Sequence, residues 1–257
     1  MRNTAIKALA VGVALASGGV ASTANANSNW DFRLAPMYLW AQSVEGESFI
    51  GPAGGDIELD FRDDVLDNLN TAATVHFEAV NDDLTYFFDI NHVSLDPENE
   101  VNNVSASIDY EMNMAEIGAT WAFSERKDYR RWEAMFGLRY IEQDIEVKAD
   151  LNLPPPIGRT LKVNGGDEWY HPFLGIRVFQ RLSQSWGMIG RFDYGYSNSD
   201  NKAANAQITF DWRFNNWGSL LLGYRHMEYD YAGGSGRDFF SADMKHRGPV
   251  IGLNIHW

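Results

Sequence analysis

The chain has 257 residues, no cysteine and a formal net charge of −14. These values exclude a disulfide-built scaffold and a thiol nucleophile, and an acidic surface argues against a nucleic-acid partner. Mean hydropathy is −0.34, and nothing after the N-terminal leader approaches the run of about 18 apolar residues that a bilayer-crossing helix needs, whereas alternating strands remain allowed.

The first residues read as a leader. Arg2 and Lys7 precede a short apolar run, and Ala24-Asn25-Ala26 supplies a small-x-small cleavage site. The expected division is a signal peptide over 1–26 and one all-β domain over 27–257. Cleavage removes two basic residues and no acidic one, so the mature chain is more acidic still.

Strand patterns follow in order. Trp30, Phe32, Leu34, Pro36, Tyr38 and Trp40 alternate with Asp31, Arg33, Ala35, Met37 and Leu39. The period of two assigns the first set to lipid and Asp31 and Arg33 to the inside. Pro36 lacks an N–H and must sit where a ladder bond can be missed. Residues 43–70 are irregular: a Gly-Pro-Ala-Gly-Gly loop at 51–55, a short strand over 56–61, and one short helix near 63–70, placed either in the barrel mouth or lumen or in an extracellular loop.

From residue 74 the alternation is steady. Thr74, His76 and Glu78 oppose Val75, Phe77 and Ala79, and Asp89 and Asn91 oppose Phe88 and Ile90. The segment 104–123 exceeds the 9–11 residues, approximately, of one crossing, and its polar phase shifts along its length. That shift predicts a β-bulge near Met114–Ala115. Later strands carry Trp132 to Tyr140, Tyr170 to Val178, Trp186 to Tyr196, Ala206 to Phe214 and Leu220 to Tyr224 on their apolar faces. Tight turns at 81–83, 183–185 and 215–216 alternate with longer loops at 96–103, 149–159, 197–202 and 232–237. Trp30, Trp121, Trp132, Trp186, Trp212, Trp217 and Trp257 gather beside the short turns, the pattern of an interfacial girdle.

The expected fold is therefore a transmembrane, antiparallel, up-and-down β-barrel of about ten strands, with eight or twelve as alternatives. A soluble β-sandwich or lipocalin-like barrel is the competing architecture. The in-register aromatics opposite a charged face favour the membrane barrel, since unpaired charge cannot line a dry core.

That charged face is the candidate site. Asp31, Arg33, Glu78, Asp89, Glu116, Glu133, Arg139, Arg177, Arg191, Asp193, Asp211, Arg213 and Arg225 share the inward phase. They form either a salt-bridge lattice that plugs a small lumen or the lining of a narrow conduit. The units Gly137-Leu138-Arg139, Gly175-Ile176-Arg177 and Gly223-Tyr224-Arg225 suggest glycines making room for neighbouring arginines. His92, Asp96, Asp230, Asp243 and His246 fall near the outer rim, yet no nucleophile signature accompanies them, so no enzyme and no catalytic residue is expected. The acidic residues Asp96, Glu98, Glu100, Asp167 and Glu168 read as solvated rather than as Ca²⁺ or Mg²⁺ ligands, and no cofactor is expected. The function expected is a narrow passive pore or small-solute passage. A structural or ligand-binding barrel with a salt-bridge-plugged lumen is the alternative, and an outer-rim hydrolase is the third and least favoured reading.

Several stretches carry a resemblance: 34–40 (LAPMYLW), 61–69 (FRDDVLDNL), 76–79 (HFEA), 169–177 (WYHPFLGIR), 223–226 (GYRH) and 248–253 (GPVIGL). They resemble a group of largely uncharacterised proteobacterial outer-membrane β-barrel proteins, small OmpA/OmpW-like barrels. His171 departs from the acidic residue expected at that place in the pattern. The resemblance implies a Gram-negative outer-membrane location with both termini periplasmic, and no established activity. It also implies lipid and lipopolysaccharide as surroundings, and periplasmic chaperones and the barrel-assembly machinery as partners in biogenesis. Ile251, Leu253, Ile255 and Trp257 then form the C-terminal assembly signal, with Trp257 near Trp30.

Overall fold

The computed structural model describes residues 30–61, 69–96, 98–101, 104–124, 129–151 and 159–257. The leader lies outside these residues, as does the expected helix near 63–70 except for Leu69 and Asn70, which open a strand instead. In chain order the strands are β1 (Trp30–Trp40), β2 (Ser43–Ile50), β3 (Ala53–Leu59), β4 (Leu69–Asn81), β5 (Leu84–Leu95), β6 (Glu98–Val101) and β7 (Val104–Ala122). They continue as β8 (Arg130–Leu151), β9 (Arg159–Arg181), β10 (Trp186–Asn198), β11 (Asn201–Arg213), β12 (Gly218–Gly233) and β13 (Phe240–His256).

A 10-strand antiparallel barrel closes through β1-β4-β5-β7-β8-β9-β10-β11-β12-β13 and back to β1. The β2–β3 hairpin extends the wall from the upper half of β13, and β6 adds to β7. The first strand and the last residue meet at one end, called here the base. Phe32 N donates to Trp257 O at 2.9 Å and Trp257 N to Phe32 O at 3.1 Å. Trp257 packs on Phe32 with ring centroids 5.7 Å apart, and Trp30 stacks beyond Phe32 at 6.3 Å. Trp30, Trp121, Trp132, Trp186, Trp212, Trp217 and Trp257 are all exposed, whereas Trp40 and Trp169 are buried.

Three expectations need correction. Tyr38 and Trp40 face inward, not outward, because the β1–β13 register shifts between Leu34 and Met37. The irregularity falls at Ala35-Pro36, where proline cannot donate a ladder bond. It exchanges the faces, so that Met37 (59% exposed) and Leu39 become the outward residues. The bulge expected at Met114–Ala115 is absent: β7 runs in unbroken register against both β5 and β8. The loops at 96–103 and 197–202 are largely strand, with β6 in the first and a two-residue turn, Ser199-Asp200, in the second.

What changes along β7 is the surroundings, not the phase. In the lower part of the wall Glu116, Gly118 and Thr120 point in while Ile117 and Trp121 point out. Above Ala115 the inward residues are Tyr110, Met112 and Met114, all buried, and the outward ones are Asp109, Glu111 and Asn113. The same inversion runs round the barrel. Ile141, Ile145, Trp169, Met227, Tyr229, Phe240 and Met244 join Val44, Ile57 and Leu59 in one apolar core above the lumen. The opposing walls touch there: a Cβ on Gly165 of β9 would lie 2.5 Å from Cγ2 of Ile50 on β2. Trp169 stacks on Tyr231 at 4.2 Å and 7°. A strand of 22 residues, β8, thus serves two purposes. About 9–11 residues suffice for a bilayer crossing, and the remainder builds a flattened cap packed like a soluble sandwich.

The outward face of the cap is acidic. Glu111 stands directly opposite Asp144, and Glu142 opposite Glu168. Burial and the nearby Asp144 raise Glu142 from its ordinary value, and burial and Glu111 do the same to Asp144.

Inside the cap, above the outward band that ends on β13 at Pro249, His246 is fully buried. Its Nδ1 lies 3.0 Å from Gln42 Oε1 and its Nε2 3.2 Å from the Tyr229 hydroxyl. Burial, then the Arg225 charge, pushes the imidazole down to about 3. An unfolded histidine keeps its proton to about pH 6.5, so acidification below that value favours the unfolded chain until the folded imidazole also protonates. Within that window the contribution has a ceiling of about 1.4 kcal/mol per pH unit. His246→Gln should flatten the loss of stability on acidification when both proteins are unfolded in urea across that range. Parallel slopes would contradict this assignment.

Candidate functional site

Below the cap the inward face is charged, and the wall brings together residues far apart in sequence. Glu116 on β7, Arg139 on β8, and Arg191 and Asp193 on β10 form a ring of ion pairs. Arg139 Nε donates to Glu116 Oε1 at 2.8 Å and its Nη2 to Asp193 Oδ1 at 2.6 Å. Arg191 Nε donates to Asp193 Oδ2 and its Nη2 to Glu116 Oε2, both at 2.6 Å. Arg225 adds a bond to Glu116 Oε1 at 2.9 Å and, through Nε, one to Asn205 Oδ1 at 2.8 Å. The side chains of Glu116, Arg139 and Asp193 are wholly buried.

A second cluster lies nearer the base. Arg177 donates to Glu78, to Glu133 at 2.6 Å and to Thr120 at 3.2 Å. Arg33 reaches Glu78 at 3.0 Å, and Arg131 pairs with Glu133 at 2.7 Å. His76 Nδ1 meets Asp89 Oδ1 at 2.6 Å.

Of the expected lattice, Arg33, Glu78, Glu116, Glu133, Arg139, Arg177, Arg191, Asp193 and Arg225 are therefore linked by ion pairs, and Asp89 joins through His76. Asp31, Asp211 and Arg213 are not: among the described residues none of them makes an ion pair. Asp31 and Arg213 lie exposed at the base, where water replaces a partner. Arg131 and His76 belong to the network and were not anticipated. Arg131 sits near the start of β8, just before the alternation that begins at Trp132.

The unit at Gly137, and Gly118 beside it on β7, work differently from expectation. The space over Gly137 is filled by the ring of Phe173 and that over Gly118 by the ring of Phe87, where a Cβ would stand 2.6 Å from either. The arginines stack on those rings instead. Arg139 lies 5.0 Å from the Phe173 centroid, and Arg191 5.7 Å from that of Phe87. Each guanidinium thus has carboxylates at its edge and an aromatic face beneath it. Arg225 lies 4.6 Å over Trp40, where the charged layer meets the apolar cap. Tyr38, turned inward by the bulge, hydrogen-bonds Gln207.

His171, where an acidic residue was expected, faces Arg139 across the β8–β9 ladder. Its Nδ1 meets Asn201 Oδ1 at 3.1 Å, and among the described residues Arg139 Nη1 and His171 Nε2 find no hydrogen-bond partner. The ring fits only because Gly195 has no side chain: a Cβ there would lie 2.1 Å from Cδ2 of His171.

Little space remains. A cavity of about 60 Å³ lies beneath Arg225 among Tyr38, His76, Asp89 and Gln207. A larger one of about 310 Å³ lies toward the base. Among the described residues no group of three or more His, Cys, Asp or Glu side chains is placed to hold a metal ion. The rim residues do not converge on a catalytic set. His92 sits between Thr71 and Asn113, Asp230 pairs with Lys202, and His246 is buried in the cap.

No protein-family model matches this chain, and neither does any curated protein sequence. Solved structures do. The outer-membrane protease OmpT of Escherichia coli superposes with a TM-score of 0.59 at 7% identity, over 89% of this chain and 96% of that one. The toluene transporter TodX of Pseudomonas putida matches at 0.33 and 10% identity, over 88% of this chain and 89% of that one. Ail of Yersinia pestis matches at 0.33 and 8%, over 89% and 97%. The chain thus has the fold of an outer-membrane β-barrel, a closed antiparallel barrel with a charged lumen. At these identities the likeness extends to the fold and no further.

The ring predicts an asymmetry. Arg139→Leu strands Glu116 and Asp193 without one of their partners in a buried layer and should cost about 3–5 kcal/mol. Arg213→Leu, at the exposed base, should change stability by no more than about 0.5 kcal/mol. Urea unfolding of the refolded barrels compares them, and equal losses would refute the lattice as drawn.

Proposed function

We propose that this protein is an integral outer-membrane barrel whose lumen is sealed: a rigid structural or ligand-binding barrel rather than a through-pore. The observation that carries the reading is the Glu116–Arg139–Asp193–Arg191 ring, wholly or largely buried at mid-height and overlain by the apolar cap. A solute passing through would have to break several charge-assisted bonds and then cross a dry core. The filled lumen weighs against the narrow passive pore, the first expectation from the sequence.

The outward aromatic band and the tryptophan girdle support a bilayer setting, with lipid and lipopolysaccharide around the wall. The leader and the alternating terminal strand support export and assembly through periplasmic chaperones and the barrel-assembly machinery. In this reading the base and both termini face the periplasm and the acidic cap faces outward. No catalytic role is assigned.

Refolded protein in planar bilayers should hold a tight seal at every salt concentration tried. Discrete conductance steps that persist after purification to homogeneity would overturn the sealed reading. Deleting Trp257 removes the outermost ring of the closing strand, which packs on Phe32. In cells it should lower the heat-modifiable folded fraction, and a normal folded fraction would count against its part in assembly.

A further inference from the structure

The base of the lumen is a blind vestibule of about 310 Å³, and its lining divides by chemistry. Arg33 of β1 and Arg131 of β8 approach from different sides of the wall, with Arg177 of β9 between them. These guanidiniums share two carboxylates: Glu78 takes Arg33 and Arg177, and Glu133 takes Arg177 and Arg131. Arg130 also lines the vestibule, its Nε donating to the neutral Gln180, so among the described residues four guanidiniums stand against Glu78 and Glu133 and the wall carries a positive excess. The nearest candidate to balance it, Asp31, lies exposed at the mouth and makes no ion pair among the described residues. Val80, Phe179 and Ile189 add an apolar surface, and Thr85 and Tyr129 complete the lining. The Arg33 side chain is 28% exposed, so part of its donor fork faces the open space rather than the lattice.

We propose that the vestibule binds a small organic anion, with one carboxylate held at Arg33 and Arg131 and a hydrocarbon body laid on Val80, Phe179 and Ile189. A guanidinium offers a carboxylate paired donors in the geometry that the head group needs. The apolar wall selects an anion with a tail over a bare inorganic one. Asp31 is then an electrostatic competitor at the entrance. The inference rests on the sealed lumen, since a ligand entering from the base must stop at the ion lattice.

Calorimetric titration of the barrel in nanodiscs tests this with hexanoate as ligand. Hexanamide serves as its neutral counterpart and acetate as the head group without a tail. Hexanoate should bind, more weakly as salt rises, while hexanamide and acetate bind at least about tenfold less tightly. Arg33→Gln should weaken hexanoate about tenfold. Glu78 keeps Arg177 and His76 in that variant, so the barrel retains its lattice. Asp31→Asn, at an exposed and unpaired position, should tighten binding about threefold. Equal affinity for hexanoate and hexanamide, or no tightening in Asp31→Asn, overturns the proposal. So does an absence of heat with every ligand. A bilayer seal without hexanoate binding removes the vestibule alone, and conductance together with binding removes the sealed lumen alone.

Discussion

The structure depends on mutual neutralisation of charge inside a wall that has no water to spare. Glu116 accepts from Arg139, Arg191 and Arg225. Taking an ion from water into such an interior costs several kcal/mol, which only close and well-oriented partners offset. The partners come from β7, β8, β10 and β12, so the ring is complete only when the barrel has closed in its final register. A strand slipped by one residue would turn its ionic side chain to the lipid face and leave its partners behind. The lattice therefore acts on specificity as much as on stability. The aromatic rings in the glycine troughs give the guanidiniums a flat surface that holds them in plane.

Much of this was legible in the sequence because a barrel strand has the simplest code in protein structure, a period of two. The tryptophan girdle, the lipid face and most lattice members follow from it. The mistakes are instructive for the same reason. Parity reads correctly only while the register is unbroken and the solvent on each face stays the same. At Pro36 the register breaks, and Tyr38 and Trp40 exchange sides. Around Met114 the register holds but the surroundings invert, and the change of pattern mimics a bulge. Nothing local in the sequence separates a shifted phase from a changed environment. The partner strands decide it, and these lie many residues away.

The pairing within the lattice was not legible at all. Glu116 and Arg225 are 109 residues apart and meet across the lumen. Arg213 shares the inward parity of its neighbours yet remains outside the network, because it lies at the exposed end of β11, whereas Asp211, with Oδ1 buried and without a hydrogen-bond partner among the described residues, has no such explanation. Depth along the strand decides whether a charge needs a partner, and parity carries no information on depth. His171 shows a further limit. Its ring is admitted by the missing side chain of Gly195 on the adjacent strand, a compensation visible only once β9 and β10 are side by side.

The inversion of polarity between wall and cap has a mechanical consequence. Both halves are cut from the same continuous strands, so the boundary cannot shift without dragging every strand with it. Moving the barrel toward its base by one pair of residues would bring Glu142 and Glu168 toward hydrocarbon. Moving it toward its cap would expose Tyr140 and Tyr170 to water. Each direction carries a penalty repeated around the circumference. The molecule thus sits in a steep vertical energy well and fixes its own draught, as a keel and freeboard do for a hull. A surface presented by the cap would stand at a constant height above the lipid.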